Sequence, residues 1–168
     1  MGAIDPATTP THIFAWGIIK WFVSPGETPG AAITFGEVVL LPGKGHDRHN
    51  HPESEEILYV LSGSGEQMVA DGEPFAVGPG ETIYIPTAVY HATRNTGWEP
   101  LRLLALYNPG GAEAGLTALP DYRAVPAGAL PSLVRGEWGY GLRAVRHGQS
   151  EAKPNRDAAA RPGRILPA

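Results

Sequence analysis

The sequence predicts an all-β fold, a small barrel or sandwich, from three observations. Glycine (22 of 168 residues) and proline (17) are plentiful, as in chains built of short strands and tight turns. Turn signals recur every eight to twelve residues from Ala32 to Tyr107. Between them lie short β-branched or aromatic runs rather than patterns of helical period.

In chain order, residues 1–11 read as a loose lead-in. His12 to Val23 reads as one extended segment carrying Phe14, Trp16, Trp21 and Phe22. Such an apolar strand is a hazard if left at a free edge, so it is expected to join two copies in a homodimer. Ser24–Gly30 is a loop, Ala32–Leu41 a β-branched strand and Pro42-Gly43 a turn. His46–His51 and Glu56–Leu61 are the next strands, and a Gly-Ser turn at Ser62–Gly65 predicts a hairpin between Glu56–Leu61 and Glu66–Ala70. Phe75–Val77, Thr82–Ile85, Tyr90–Arg94 and Leu101–Tyr107 complete the strand set. Beyond them a short helix is expected near Ala112–Leu119, a strand pair within Ser132–Arg146, and a flexible tail from Ser150 to Ala168. The resulting division is an amino-terminal arm (1–31), a core (32–107), an extension (108–149) and a tail (150–168).

Composition excludes several functions. The net charge of −4 and the lack of a basic block argue against a nucleic-acid surface. With no cysteine, disulfides, thiolate ligands and thiol nucleophiles are ruled out. The longest apolar run near the start, Ile13–Val23, is interrupted by Gly17 and Lys20 and is too short to span a bilayer. The first twelve residues do not resemble a secretory signal, so a cytoplasmic location is expected.

Two stretches carry the chemistry. In the first, His49 and His51 stand two apart, so one extended segment aims both rings to the same face. Four residues intervene before Glu56, whose carboxylate a returning chain could bring beside the rings. In the second, Gly80 opens a strand, Pro86 ends it, and His91 and Asn95 follow. Three imidazoles and one carboxylate suit a divalent transition metal (Fe, Mn, Ni, Co, Cu or Zn), and residue type alone does not choose among them.

The spacing of these residues resembles the paired motifs of the cupin superfamily. Gly43, His49, His51, Glu56 and Gly63 match the first motif, and Gly80, Pro86, His91 and Asn95 the second, with Ala88 where a glycine is usual. The resemblance implies a double-stranded β-helix, or jelly-roll barrel, with His49, His51, Glu56 and His91 holding one metal. Glu55 is the rival carboxylate, and Glu56 is preferred because its distance to Gly63 fits the motif. His46 lies just outside the pattern.

Strand alternation suggests further residues. Leu58 and Val60 share a face with Glu56, Thr93 and Asn95 share one with His91, and Leu101, Leu103, Ala105 and Tyr107 share one opposite Arg102. For two strands the inward face stays open: Gln67 with Val69 or Glu66 with Met68, and Thr82 with Tyr84 or Ile83 with Ile85. Tyr84, Gln67 and Arg102 are the candidates for orienting or acid–base roles. From Gly45 to Tyr107 the only basic side chains are Arg48, Arg94 and Arg102, too few to favour a phosphorylated substrate. A small organic acid, diketone, phenolic or unphosphorylated sugar acid fits better. The expected activity is dioxygenase-type oxidation, because no dedicated base is evident. The alternatives are a sugar or sugar-acid isomerase or lyase, and a non-catalytic ligand-binding domain.

Overall fold

A computed structural model describes residues 2–129 and residue 131. The strand pair expected within Ser132–Arg146 and the tail from Ser150 lie outside the described residues. Eleven strands are described: β1 (Thr11–Phe14), β2 (Gly17–Val23), β3 (Thr34–Leu40), β4 (Gly45–His49), β5 (Glu55–Ser62), β6 (Gly65–Val69), β7 (Phe75–Val77), β8 (Thr82–Ile85), β9 (His91–Asn95), β10 (Leu101–Asn108) and β11 (Arg123–Val125). They form a seven-stranded sheet in the order β11–β1–β2–β3–β10–β5–β8 and a four-stranded sheet in the order β4–β9–β6–β7. Every pairing is antiparallel. This is the all-β jelly-roll architecture that the sequence predicts, and the short helix near Ala112 is a 3₁₀ segment, Ala112–Ala118. No helix among the described residues is long and apolar enough to cross a membrane.

The core lies between the two sheets, and strand alternation builds it. Along β10, Leu101, Leu103, Ala105 and Tyr107 are buried while Arg102 is exposed. Along β5, Leu58 and Val60 enter the same core and Ile57, Tyr59 and Leu61 face out. Burying each such aliphatic side chain contributes about 1.5–3 kcal/mol, so these strands cannot slip by one residue without exposing the whole set.

Two expectations about connections are corrected. The His12–Val23 segment is not one strand but a hairpin, turning at Ala15-Trp16 between β1 and β2. Its Phe14 and Trp21 are buried in the subunit's own core, and β11 pairs along the far side of β1. The free side of β1 is therefore covered within one chain. Nor do β5 and β6 form a hairpin: β5 pairs with β10 and β8, and β6 with β9 and β7. The turn between them carries the chain from one sheet to the other. Gly63 makes that passage with φ +89°, where an added Cβ would meet the Pro100 carbonyl oxygen at 2.7 Å. Only glycine fits there.

Asn95, the last residue of the second motif, is a structural clamp rather than a ligand. It is fully buried, its side chain donates to the carbonyls of Leu40 (2.9 Å) and Glu99 (2.8 Å), and its Oδ1 accepts from the Gly97 amide (2.8 Å). It thereby ties β9 to the end of β3 and to the following turn. Asn95→Ala leaves these groups unpaired and is expected to cost about 3 kcal/mol. In a chain of this size that lowers Tm by about 6–12 °C. A thermal melt showing a shift under about 2 °C would contradict the clamp.

Candidate metal centre

The centre is assembled across the barrel. His49 ends β4 and His91 begins β9, neighbours in the four-stranded sheet whose register places the two residues opposite each other. Glu56 comes from β5 in the seven-stranded sheet, and His51 from the loop between β4 and β5. Two bonds fasten that loop to the turn before β9: the Ala88 amide donates to the His51 carbonyl (2.9 Å) and the Asn50 side chain donates to the Ala88 carbonyl (3.1 Å). Asn50 thus points away from the rings, as alternation requires. Ala88 takes a left-handed conformation, φ +63°, a strained choice for a residue with a Cβ.

One ligand atom from each of His49, His51, Glu56 and His91 lies within 4.8 Å of the others. The set is close enough for one ion at ordinary ligand distances of roughly 2.0–2.2 Å after a small contraction. Glu55, the rival carboxylate, faces outward and bonds Tyr84 and Asn108 instead.

The hydrogen bonding fits a cation. His49 Nδ1 donates to the Asp47 carbonyl (2.7 Å) and His91 Nδ1 to the Val89 carbonyl (3.0 Å). A proton held on Nδ1 leaves Nε2 as a lone pair aimed inward, the usual arrangement of a ligating histidine. His51 Nε2, His91 Nε2 and Glu56 Oε2 are all buried without a well-formed hydrogen bond. Yet His51 Nε2 stands 3.5 Å, and His91 Nε2 2.8 Å, from Glu56 Oε2. The atoms are near each other, yet no hydrogen bond of good geometry joins them. Buried polar atoms rarely go unpartnered, and a shared cation is the simplest partner for all three.

Burial works against charge here. It pushes His49 down to about 3, helped by the neighbouring rings of His46 and His91. His46 is likewise pushed by burial to about 4. Burial pushes Glu56 up, but His51 and His91 outweigh it and hold the carboxyl at about 2. Burial lowers His91, and Glu56 outweighs that in turn and raises it. Tyr107 is pushed well above its ordinary value, by burial first and then by Glu56 and Glu113. Its phenol therefore keeps its proton beside the carboxylate.

Beside the cluster is a cavity of about 30 Å³. His46, His49, Glu56, His91, Thr93 and Tyr107 supply its polar wall, and Trp16, Ile19, Val38, Leu40, Leu58, Leu103 and Leu116 the rest. No lysine or arginine lines it. Lys44, Arg48 and Arg94 line an open groove of about 530 Å³ against β4, β6 and β9, which shares His46 and Thr93 with the cavity.

Of the three residues expected in orienting roles, the structure keeps one near the centre. Gln67 is fully buried and accepts a 2.6 Å hydrogen bond from Thr93, a cavity residue. Tyr84 does not reach the cavity: Ile83 and Ile85 take the inner face of β8, leaving Tyr84 56% exposed and donating to Glu55. Arg102 lies outside as well, paired at 2.6 Å with Glu37 on the outer surface. Two further residues stand near the ligands: Tyr107, which was given no role, and His46, which was read as lying just outside the pattern. Tyr107 packs its ring 4.6 Å from that of His51, and alternation along β10 already placed it inward. His46 reaches the cavity through a β-bulge: the register runs His46 to Thr93 but His49 to His91, so Asp47 and Arg48 together oppose one residue of β9. That extra residue restores His46 to the face of His49, and motif spacing holds no signal for it.

Residues 36–107 match a family model described as a cupin domain. An uncharacterized protein of Methanocaldococcus jannaschii is 37% identical over 92 residues, covering 55% of this chain and 73% of that protein. A glucose-6-phosphate isomerase of Thermococcus kodakarensis is 35% identical over 88 residues, covering 45% of this chain and 46% of its own length, so the chain spans about half of that relative. Among solved structures, one described as a predicted oxalate decarboxylase from Thermotoga maritima aligns with a TM-score of 0.56 at 23% identity, covering 64% of this chain and 99% of that one. That likeness bears on the fold alone.

Proposed function

This chain belongs to the cupin superfamily, and on that premise we propose that it is a mononuclear metalloenzyme of dioxygenase type. Its substrate class is a small organic acid, diketone or phenolic. The observation that carries the reading is the pairing of three buried, unpartnered ligand atoms with a small cavity of largely apolar lining. A divalent redox-active ion held by His49, His51, Glu56 and His91 would supply electron transfer to dioxygen.

The chain's own residues do the rest. Nδ1 anchoring on the Asp47 and Val89 carbonyls orients the rings of His49 and His91. Trp16, Leu103 and Leu116 exclude bulk water from the reacting side. Protonated Tyr107 stands beside Glu56 as a hydrogen-bond donor rather than a base. No cationic side chain lines the cavity to hold a phosphate. That weighs against a sugar-phosphate substrate, although three relatives are glucose-6-phosphate isomerases. Lewis-acid isomerase or lyase chemistry on an unphosphorylated sugar acid is the second reading, favoured by the phenol beside the carboxylate.

Oxygen consumption by protein loaded in turn with Fe²⁺, Ni²⁺, Cu²⁺ and Mn²⁺, with a panel of small acids, diketones and phenolics, separates the two. Uptake that needs both metal and substrate is expected. Substrate conversion without oxygen uptake would replace the oxygenase reading with the isomerase or lyase one.

A further inference from the structure

We infer that His46 is the side chain that hydrogen-bonds a small anion bound beside the metal, an inference that rests on the metalloenzyme reading above. The β-bulge at Asp47 and Arg48 turns His46 to the cavity side. Two rings fix it there, with Trp16 5.0 Å away on one side and His49 3.9 Å on the other.

What separates His46 from the ligand histidines is its freedom to bond. His49 and His91 each spend Nδ1 on a backbone carbonyl and so aim Nε2 at the centre. His46 has no such anchor among the described residues, and it packs its ring against those of Trp16 and His49. The other polar groups on the wall are engaged: Thr93 donates to Gln67, and Tyr107 sits against Glu56. Besides the ligands His49, Glu56 and His91, the rest of the cavity wall is apolar. His46 lines both this cavity and the open groove beside it, so a ring N–H not spent on a backbone carbonyl is available to an occupant of the cavity.

Size and charge set the class of occupant. A cavity of about 30 Å³ holds roughly two waters or a group of a few heavy atoms. A divalent ion on one side and an N–H donor on the other select an anion, such as a carboxylate head group. His46 would thus hydrogen-bond an oxygen of an anion held beside a metal on His49, His51, Glu56 and His91, and disfavour neutral groups of the same size.

The test uses Co²⁺ as metal and formate and azide as three-atom probes. Wild type, His46→Phe and His46→Gln are titrated first with Co²⁺, followed by its visible absorbance, and then with each anion. Co²⁺ affinity is expected to stay within about twofold in all three, because the four ligands are untouched. Loss of one charge-assisted hydrogen bond should weaken both anions by about 10–100-fold in His46→Phe. His46→Gln, which keeps a donor, should recover part of that loss. Unchanged anion affinity in His46→Phe would overturn the inference. So would loss of Co²⁺ from that variant, which would make His46 a ligand or a scaffold residue. A cobalt-loaded wild type that binds neither anion overturns it too. A wild type that takes up no Co²⁺ instead fails the metal reading, and the inference falls with it.

Discussion

His91→Ala is expected to weaken divalent-metal binding by more than about 100-fold, since changes one layer outside a metal's ligands already cost about 10–100-fold. His91 is 1% exposed, and its Nδ1 is fixed on the Val89 carbonyl so that Nε2 faces Glu56 at 2.8 Å. Removing the ring takes away one of four donors and opens the wall of the cavity. It also leaves Glu56 buried with one fewer partner. The fold should survive, because the clamp at Asn95 and the apolar core lie apart from the ring. Isothermal titration with Co²⁺ or Zn²⁺, alongside a circular dichroism spectrum, checks both halves. Affinity within about threefold of wild type, in a folded variant, would remove His91 from the ligand set.

Acid should unfold the metal-free protein well before it unfolds an ordinary β-barrel. His46 and His49 are held neutral, at about 4 and about 3, whereas in the unfolded chain both take up protons near ~6.5. Between those values the unfolded state binds more protons, so stability falls as pH falls. Glu56, held at about 2, adds stability that is complete above its ordinary value and is lost as pH drops towards 2. His91 works the other way: its value is raised by Glu56, so its contribution is full below ~6.5 and fades as pH rises through the raised value. Two histidines and one carboxylate outweigh that single opposing group. The expected result is a fall in Tm on the order of 10 °C from pH 7 to pH 4. Added metal should raise Tm at pH 7 and do less at pH 5, because His91, whose value is raised by Glu56, holds a proton there that competes for its nitrogen. A Tm flat from pH 7 to pH 4, with equal metal protection throughout, would contradict this electrostatic account.

The parts of the molecule legible in the sequence are those governed by local rules. Period-two alternation identified the inward faces of β5, β9 and β10, because each of those strands carries one continuous buried set. The spacing of His49, His51, Glu56 and His91 led to residues that the structure brings together. What escaped was decided by tertiary geometry. Alternation sorts a strand into two faces without saying which is inside, so Tyr84 was misplaced when Ile83 and Ile85 took the inner face. Arg102 was read on the face opposite Leu103, and that placement itself puts it outside the barrel. A Gly-Ser turn reads as a hairpin, but at Gly63 it leads from one sheet to the other. His46 depends on one extra residue in β4, visible only once the register against β9 is known. Strand β11 is three residues long and pairs with β1 from more than 100 positions away, so nothing local announces it.

The most direct test of the central claim is the metal content of untagged protein purified without added metal, measured by plasma mass spectrometry beside a His49→Ala/His91→Ala double variant. About one equivalent of a single transition metal in the wild type, absent from the double variant, is the predicted result. No metal in the wild type, and none acquired on titration at pH 7, would mean that these four side chains do not form a metal centre.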